Sequence, residues 1–251
     1  MPTLYAYNTT YTSDGYIQSP FDSNWATCRD ATTGTNVWTG FNNSHVFVYR
    51  FASRGGGTGK IRIGRHFLFW NTSLISGTIG DVDIKIHGHH GGQAGTRIIC
   101  VKSTAYGGDG GTALATSDFD AISGWSAGSS LAGLATDYSD VYSYDTSGWS
   151  TTGYNTLTGT TALKNDMKNN NYVIMCIMEY DHDYLNSAVS SSPDSNNVSL
   201  YAIENTGTSK DPYLDYTIAA GYENTPLGVT AANIGKVKGV ATASISKVIG
   251  I

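Results

Sequence analysis

Between residues 81 and 88, Val82, Ile84 and Ile86 alternate with Asp83 and Lys85. An alternation of period two sets the aliphatic side chains on one face of a strand and the charges on the other. The same alternation runs through 3–8, through 44–52 with Val46, Val48 and then Phe51, and through 59–70, which begins Ile61, Ile63 and becomes wholly apolar at Phe67–Trp70. Residues 171–180 hold the unbroken run Val173–Met178, expected of a central strand covered on both faces. "TRIICVK" follows the 81–88 segment across a Gly-rich stretch, so residues 81–102 read as a hairpin. Residues 197–204 and 211–219 supply the last strands. A helical signal appears at 155–171, where Thr161 is placed to cap Ala162–Lys168 and the following Asn run to end the helix. The fold class expected is all-β: a jelly-roll β-sandwich with one short helix and a C-terminal extended arm.

That arm carries a repeat. Val229, Ala232, Ile234, Lys236, Val237 and Gly239 recur eleven residues later as Val240, Ala243, Ile245, Lys247, Val248 and Gly250. Thr230 is placed to cap a helical turn through Val237 that Gly239 stops, and Thr242 to cap its counterpart. Isolated turns of this length are marginal in water, so the repeat is expected to dock on something. The division expected is a sandwich over 1–222 and an assembly arm over 223–251. Ile234, Lys236, Val237, Ile245, Lys247 and Val248 form the predicted interface.

Composition sharpens this picture. The 251 residues include 30 Gly and 17 Tyr, and only 14% are charged, against about 25% in ordinary globular chains. Such a Tyr-, Thr- and Gly-rich chain favours strands and turns over long helices. The net charge is −5 with no Lys/Arg run, so no cationic face for nucleic acid is expected. No apolar stretch is long enough to insert in a membrane, and the N-terminus lacks the basic and apolar regions of a signal peptide. Cys28, Cys100 and Cys176 are odd in number and widely spaced, which suits buried small hydrophobes rather than a disulfide framework or a zinc site.

Several short motifs occur in a telling order: "GRHFLFWNTSLISG", "TSDFDAISGW", "WSTTGYNTLTGTTAL", "NYVIMCIMEYDHDY" and "DPYLDYTI". The order resembles the disaggregatase-related, or DNRLRE-type, β-sandwich domains over about residues 10–218. The matching positions are Arg65, Phe69–Ser73 and Ile75, then Asp118–Phe119, Tyr180–Asp181, and Pro212 with Leu214. The family's Asp before Thr-Ser is Asn71 here, and its Pro after Ile is Ser76. The resemblance implies the sandwich fold, found in cell-surface proteins, accessory modules of polysaccharide enzymes and phage virion proteins. The terminal repeat is similar to the short repeats that end many bacteriophage tail and fibre proteins. Together these imply a virion structural protein made in the host cytoplasm, homo-oligomeric or bound to other virion chains, with no cofactor. A carbohydrate-binding module or adhesin that takes a host surface glycan is the alternative, and a glycan-active enzyme the third reading.

Candidate chemistry is sparse. In "HGHHGG", His87 and His89 share a strand face, but a zinc site needs three or four ligands, and a polar turn is the reading favoured. In "YDHDY", Asp181 and Asp183 offer oxygens suited to calcium. No metal site is committed to either pair. No nucleophile elbow or zinc-protease motif occurs, and no carboxylate pair stands out. Trp25, Trp38, Trp125 and Trp149 lie in polar loop-like segments, where anchoring outweighs sugar stacking. Residues 103–160 form a long, loop-like, aromatic stretch, of a length expected of a functional or a disordered loop.

Overall fold

The computed structural model describes residues 2–6, 13–39, 43–52, 59–90, 93, 95–143, 149–190, 194–203, 208–219, 236–237 and 240–241. In chain order the elements are β1 (Thr3–Tyr5), β2 (Asp14–Gln18), α1 (Trp25–Arg29), β3 (Asn36–Trp38), β4 (Asn43–Arg50), β5 (Ile61–Asn71), β6 (Ile79–His87), β7 (Arg97–Lys102), β8 (Tyr142–Ser143), β9 (Tyr154–Thr158), α2 (Thr161–Asn169), β10 (Tyr172–Glu179), β11 (Asp194–Tyr201), β12 (Tyr213–Ile218), β13 (Lys236–Val237) and β14 (Val240–Ala241). The smaller antiparallel sheet runs β1-β12-β6-β9. The larger runs β11-β4-β5-β10-β7-β8, with β2 on the edge of β5 and β3 on β2. The chain passes repeatedly from one sheet to the other, as in a jelly roll, and the two sheets enclose the core of the expected β-sandwich.

Alternation decides which residues fill that core. Val82, Ile84 and Ile86 of β6 face Val173, Met175 and Ile177 of β10, together with Leu68 and Trp70 of β5 and Leu214 of β12. The opposite parity of β10, Ile174, Cys176 and Met178, fills a second core on the outer side of the larger sheet. β10 is thus a central strand buried on both faces, as its unbroken apolar run requires. All three cysteines are buried free thiols.

Several expectations need correction. Residues 81–102 are not a hairpin: β6 pairs with β12 and β9, whereas β7 pairs with β10 and β8. Both strands direct an aliphatic face inward, so Ile84 and Ile86 meet Ile98 and Cys100 across the sandwich instead of beside them. The helix α2 begins one residue earlier than expected, because Thr160, not Thr161, caps it by accepting from Leu163 N at 3.4 Å. A further helix, α1, is capped by Asn24, which accepts from Thr27 N at 3.1 Å. Residues 103–141 are a folded cover: Tyr106, Leu114, Phe119, Ile122 and Leu131 seal the second core.

Three of the four tryptophans expected in loop-like segments act as pins, Trp25 from the start of α1. Trp149 is buried and its Nε1 donates to Ser199 O, Trp25 Nε1 donates to Asn186 Oδ1, and Trp125 is half-buried beneath two arginines. Trp38 is 37% exposed and stacks on Tyr16. In the arm, Lys236 and Val237 pair with Ala241 and Val240 as a short antiparallel ladder, and residues 230–235 of the expected turn lie outside the described residues. The β-branched Val237 and Val240 suit a ladder better than one isolated helical turn.

Candidate functional site

Arg65 lies in the middle of β5, where a fully buried cation needs a complete set of partners. Asp183 provides the charge. Arg65 Nε donates to Asp183 Oδ2 at 2.8 Å and Nη2 donates to Oδ1 at 2.7 Å, a bidentate fork between two fully buried side chains. Two further hydrogens go to backbone: Nη1 to Phe119 O at 2.7 Å and Nη2 to Arg29 O at 3.0 Å. The guanidinium also lies over the rings of Phe119 and Trp125, at 4.1 and 4.4 Å.

A second buried arginine joins from α1. Arg29 Nε donates to Asp183 O at 3.0 Å, Nη1 to Asp30 Oδ1 at 2.6 Å, and its guanidinium shares the Trp125 ring at 4.4 Å. Two cations thus meet two carboxylates. The turn that delivers Asp183 is a single π-helical turn, Tyr180–Tyr184, capped by Glu179. The Glu179 carboxylate accepts from the amides of Asp181, His182 and Asp183, and from Asn196 Nδ2. Burial nevertheless pushes the Glu179 pKa up, against these hydrogen bonds.

The arrangement joins segments far apart in sequence, and they are the segments whose motifs prompted the family resemblance. Arg65, Phe119, Trp125 and the turn after Tyr180 meet at one point. Asp181 belongs elsewhere: it ion-pairs with Arg97, whose guanidinium lies over Tyr180 at 4.8 Å. Asp118 accepts from Ala115 N and Tyr106 N and shapes the cover. Asn71 forms its own turn, its Oδ1 accepting from Ser73 N and Ser73 Oγ. Leu214 is in the inner core. Sealed from solvent and internally neutralised, the arginine–aspartate centre does structural work. Sequence reasoning did not identify this centre; the signal that could have found it is the strongly apolar surroundings of Arg65 in "GRHFLFW".

The other candidates lie apart. His87 ends β6, donates from Nδ1 to Gly88 O at 2.8 Å, and packs edge-on against Tyr154 and Tyr201. His89 rests on the same Tyr201 and on His90, so the two histidines do share a side. Gly88 between them bridges to Leu200, and a Cβ there would come within 2.0 Å of Ser150 O. Among the described residues no group of three His, Cys, Asp or Glu side chains is placed to hold a metal ion. Asp183 pairs with the buried Arg65 and Asp181 with the part-exposed Arg97, so the two carboxylates of "YDHDY" are directed to different partners. Of the predicted interface residues, Lys236 and Val237 lie in β13, and Ile234, Ile245, Lys247 and Val248 lie outside the described residues.

No family model matches the sequence, and no curated protein matches it.

Proposed function

We propose that the protein is a bacteriophage virion structural protein, without enzymatic activity, that displays its sandwich and assembles through the C-terminal repeat. The observation that carries this reading is the eleven-residue repeat standing downstream of the last sandwich strand, which ends at Ile218. Among the described residues both cores draw on side chains between Leu4 and Tyr216, and the buried Arg65 and Asp183 neutralise each other. In this reading Ile234, Val237, Ile245 and Val248 are buried against a partner chain, at roughly 1.5–3 kcal/mol for each aliphatic side chain, before association costs. Lys236 and Lys247 contribute little individually.

Truncation after Tyr222 tests this. The truncated chain should keep its melting temperature and lose incorporation into particles or oligomers. Removing one repeat unit should weaken assembly and removing both should abolish it. Incorporation of the truncated chain at full stoichiometry, measured by mass spectrometry of purified particles, would overturn the reading.

A further inference from the structure

We propose that the chain leaving β6 is an acid-released strap, latched over the edge strand β11 by a cluster of histidines. The inference concerns the sandwich alone and does not depend on assembly through the arm. β11 ends the larger sheet, so one of its edges would offer unpaired backbone groups. That edge is covered. Gly88 forms an isolated bridge to Leu200, His89 N donates to Ser199 O at 3.0 Å, and Gln93 N donates to Asn197 O at 3.0 Å. Asn197 N donates in turn to Thr96 Oγ1 at 3.0 Å, and Trp149 Nε1 shares Ser199 O at 2.9 Å.

Five of the six histidines of the chain meet at this corner. His45 of β4 is the register partner of Ser199. Ser199 Oγ lies 3.4 Å from His89 Nδ1 and 3.5 Å from Ser44 O, and Ser44 Oγ lies 2.7 Å from His66 Nδ1 of β5. The His89 ring stands 3.9 Å from the His90 ring and 4.7 Å from Tyr201, and Tyr201 also carries His87 edge-on.

The corner has cations to spare and lacks counter-charge. Among the described residues no carboxylate pairs with His45, His66, His87, His89 or His90. Lys210, from the segment before β12, already places its Nζ 4.0 Å from the centre of the Tyr201 ring. The remaining elements bring Tyr16 of β2 against His45 and Tyr154 of β9 against His87. The buried Asp211 meets Tyr154, whose hydroxyl donates to its backbone carbonyl at 3.1 Å. A proton taken up by His45 or His89 therefore adds a positive charge beside other cations with nothing to neutralise it.

Burial holds the pKa of His45 and His89 below 6.5, and the charge of His90 lowers both further. The closed strap thus binds fewer protons than the open one. Its closure is complete above about pH 6.5 and is lost as the pH falls through the lowered values. His66, whose pKa burial lowers to about 3, stays neutral through this window. The strap, held by a few hydrogen bonds at the sheet edge, then opens before the core does. Its release uncovers the backbone donors and acceptors of β11, the groups with which a further strand pairs.

The test uses the full chain and nuclear Overhauser contacts, recorded at about pH 7.5 and about pH 5. Contacts between Gly88–His89 and Ser199–Leu200 should be present at the higher pH and lost at the lower. Contacts between Val173 and Trp70, paired across β10 and β5, should persist at both. At the lower pH, about 1 M sodium chloride should restore the strap contacts, because it shortens the range of charge repulsion to roughly 3 Å. The double variant His89→Gln/His90→Gln, at a half-buried and an exposed position, should keep them at both pH values. Strap contacts that persist in acid, that vanish together with those of β10 and β5, that salt fails to restore, or that are lost equally in the double variant would overturn the proposal.

Discussion

The two faces of the larger sheet are filled in different ways, although the same strands supply both. On β5, Leu68 and Trp70 point inward to the smaller sheet, while Arg65, Phe67 and Phe69 point outward beneath α1 and residues 103–141. The inner face is covered by another sheet, whose backbone groups are already paired in ladders. Alternating aliphatic side chains are enough there. The outer face is covered by irregular chain, whose carbonyls find no ladder partner. Arg65 and Arg29 supply the missing donors, to Phe119 O, Arg29 O and Asp183 O, and Asp183 supplies the counter-charge. A buried ion pair is seldom a net gain over well-packed apolar residues. Here it clamps a cover that hydrophobic contact alone would leave with unpaired carbonyls.

The harshest way to break this contrast is to put a charge on the apolar side. Ile84→Asp buries an unpaired carboxylate between the sheets and should yield no folded protein. A soluble Ile84→Asp variant with native far-UV circular dichroism would refute the inner-face assignment.

Next comes the outer face. Asp183→Ala leaves Arg65 buried without its counter-charge and should cost about 3–5 kcal/mol by denaturant titration. The double variant Arg65→Met/Asp183→Leu sharpens the point. It removes the uncompensated charge and should recover part of the loss. It should still fall below wild type by about 1–3 kcal/mol, because Phe119 O and Arg29 O lose their donors. A double variant as stable as wild type would mean that the arginine is not a clamp.

Acid probes the inner side. His66 is fully buried against Ser44 Oγ at 2.7 Å, and burial lowers its pKa from 6.5 to about 3. The unfolded chain takes up a proton below pH 6.5 while the folded chain does not. Stability is therefore complete above pH 6.5 and falls by roughly 1.4 kcal/mol per pH unit on the way down to about pH 3. Burial also lowers the pKa of His45 and His89, which act in the same direction. His66→Gln should flatten the profile between pH 6 and 4, measured as melting temperature against pH; an unchanged profile would assign the acid loss to other groups.

The smallest effect belongs to the surface. Asp81 is 89% exposed in its pair with Lys164, so Asp81→Asn should change stability by less than about 0.5 kcal/mol.

How much of this was legible beforehand depends on the period of each segment. Val82, Ile84 and Ile86 declared their face through strict alternation, and Val173–Met178 declared a strand buried on both sides through its lack of alternation. The helix at Ala162–Lys168 announced itself through its cap and its Asn stop, to within one residue. These are local properties, set by side-chain direction along the backbone. Partner choice is not local. The pattern of β6 and β7 fits a hairpin as well as a cross-core contact, since both arrangements bury the same aliphatic faces, and only the closure of two sheets selected the second. The sequence likewise offered Asp181 and Asp183 as equivalent carboxylates. The π turn capped by Glu179 sends one to the buried Arg65 and the other to the surface Arg97. Residues 103–141 lacked any period because an irregular cover is specified by contacts with the sheet beneath it, not by repetition within itself. The sequence by itself determined strands β1, β4 to β7 and β10 to β12, the inward faces of those that alternate, and the repeat at the end; the short β2, β3, β8 and β9 carried no period long enough to show. Tertiary structure alone decided which strands are neighbours and which aspartate is buried, because each of these depends on pairings between residues distant along the chain.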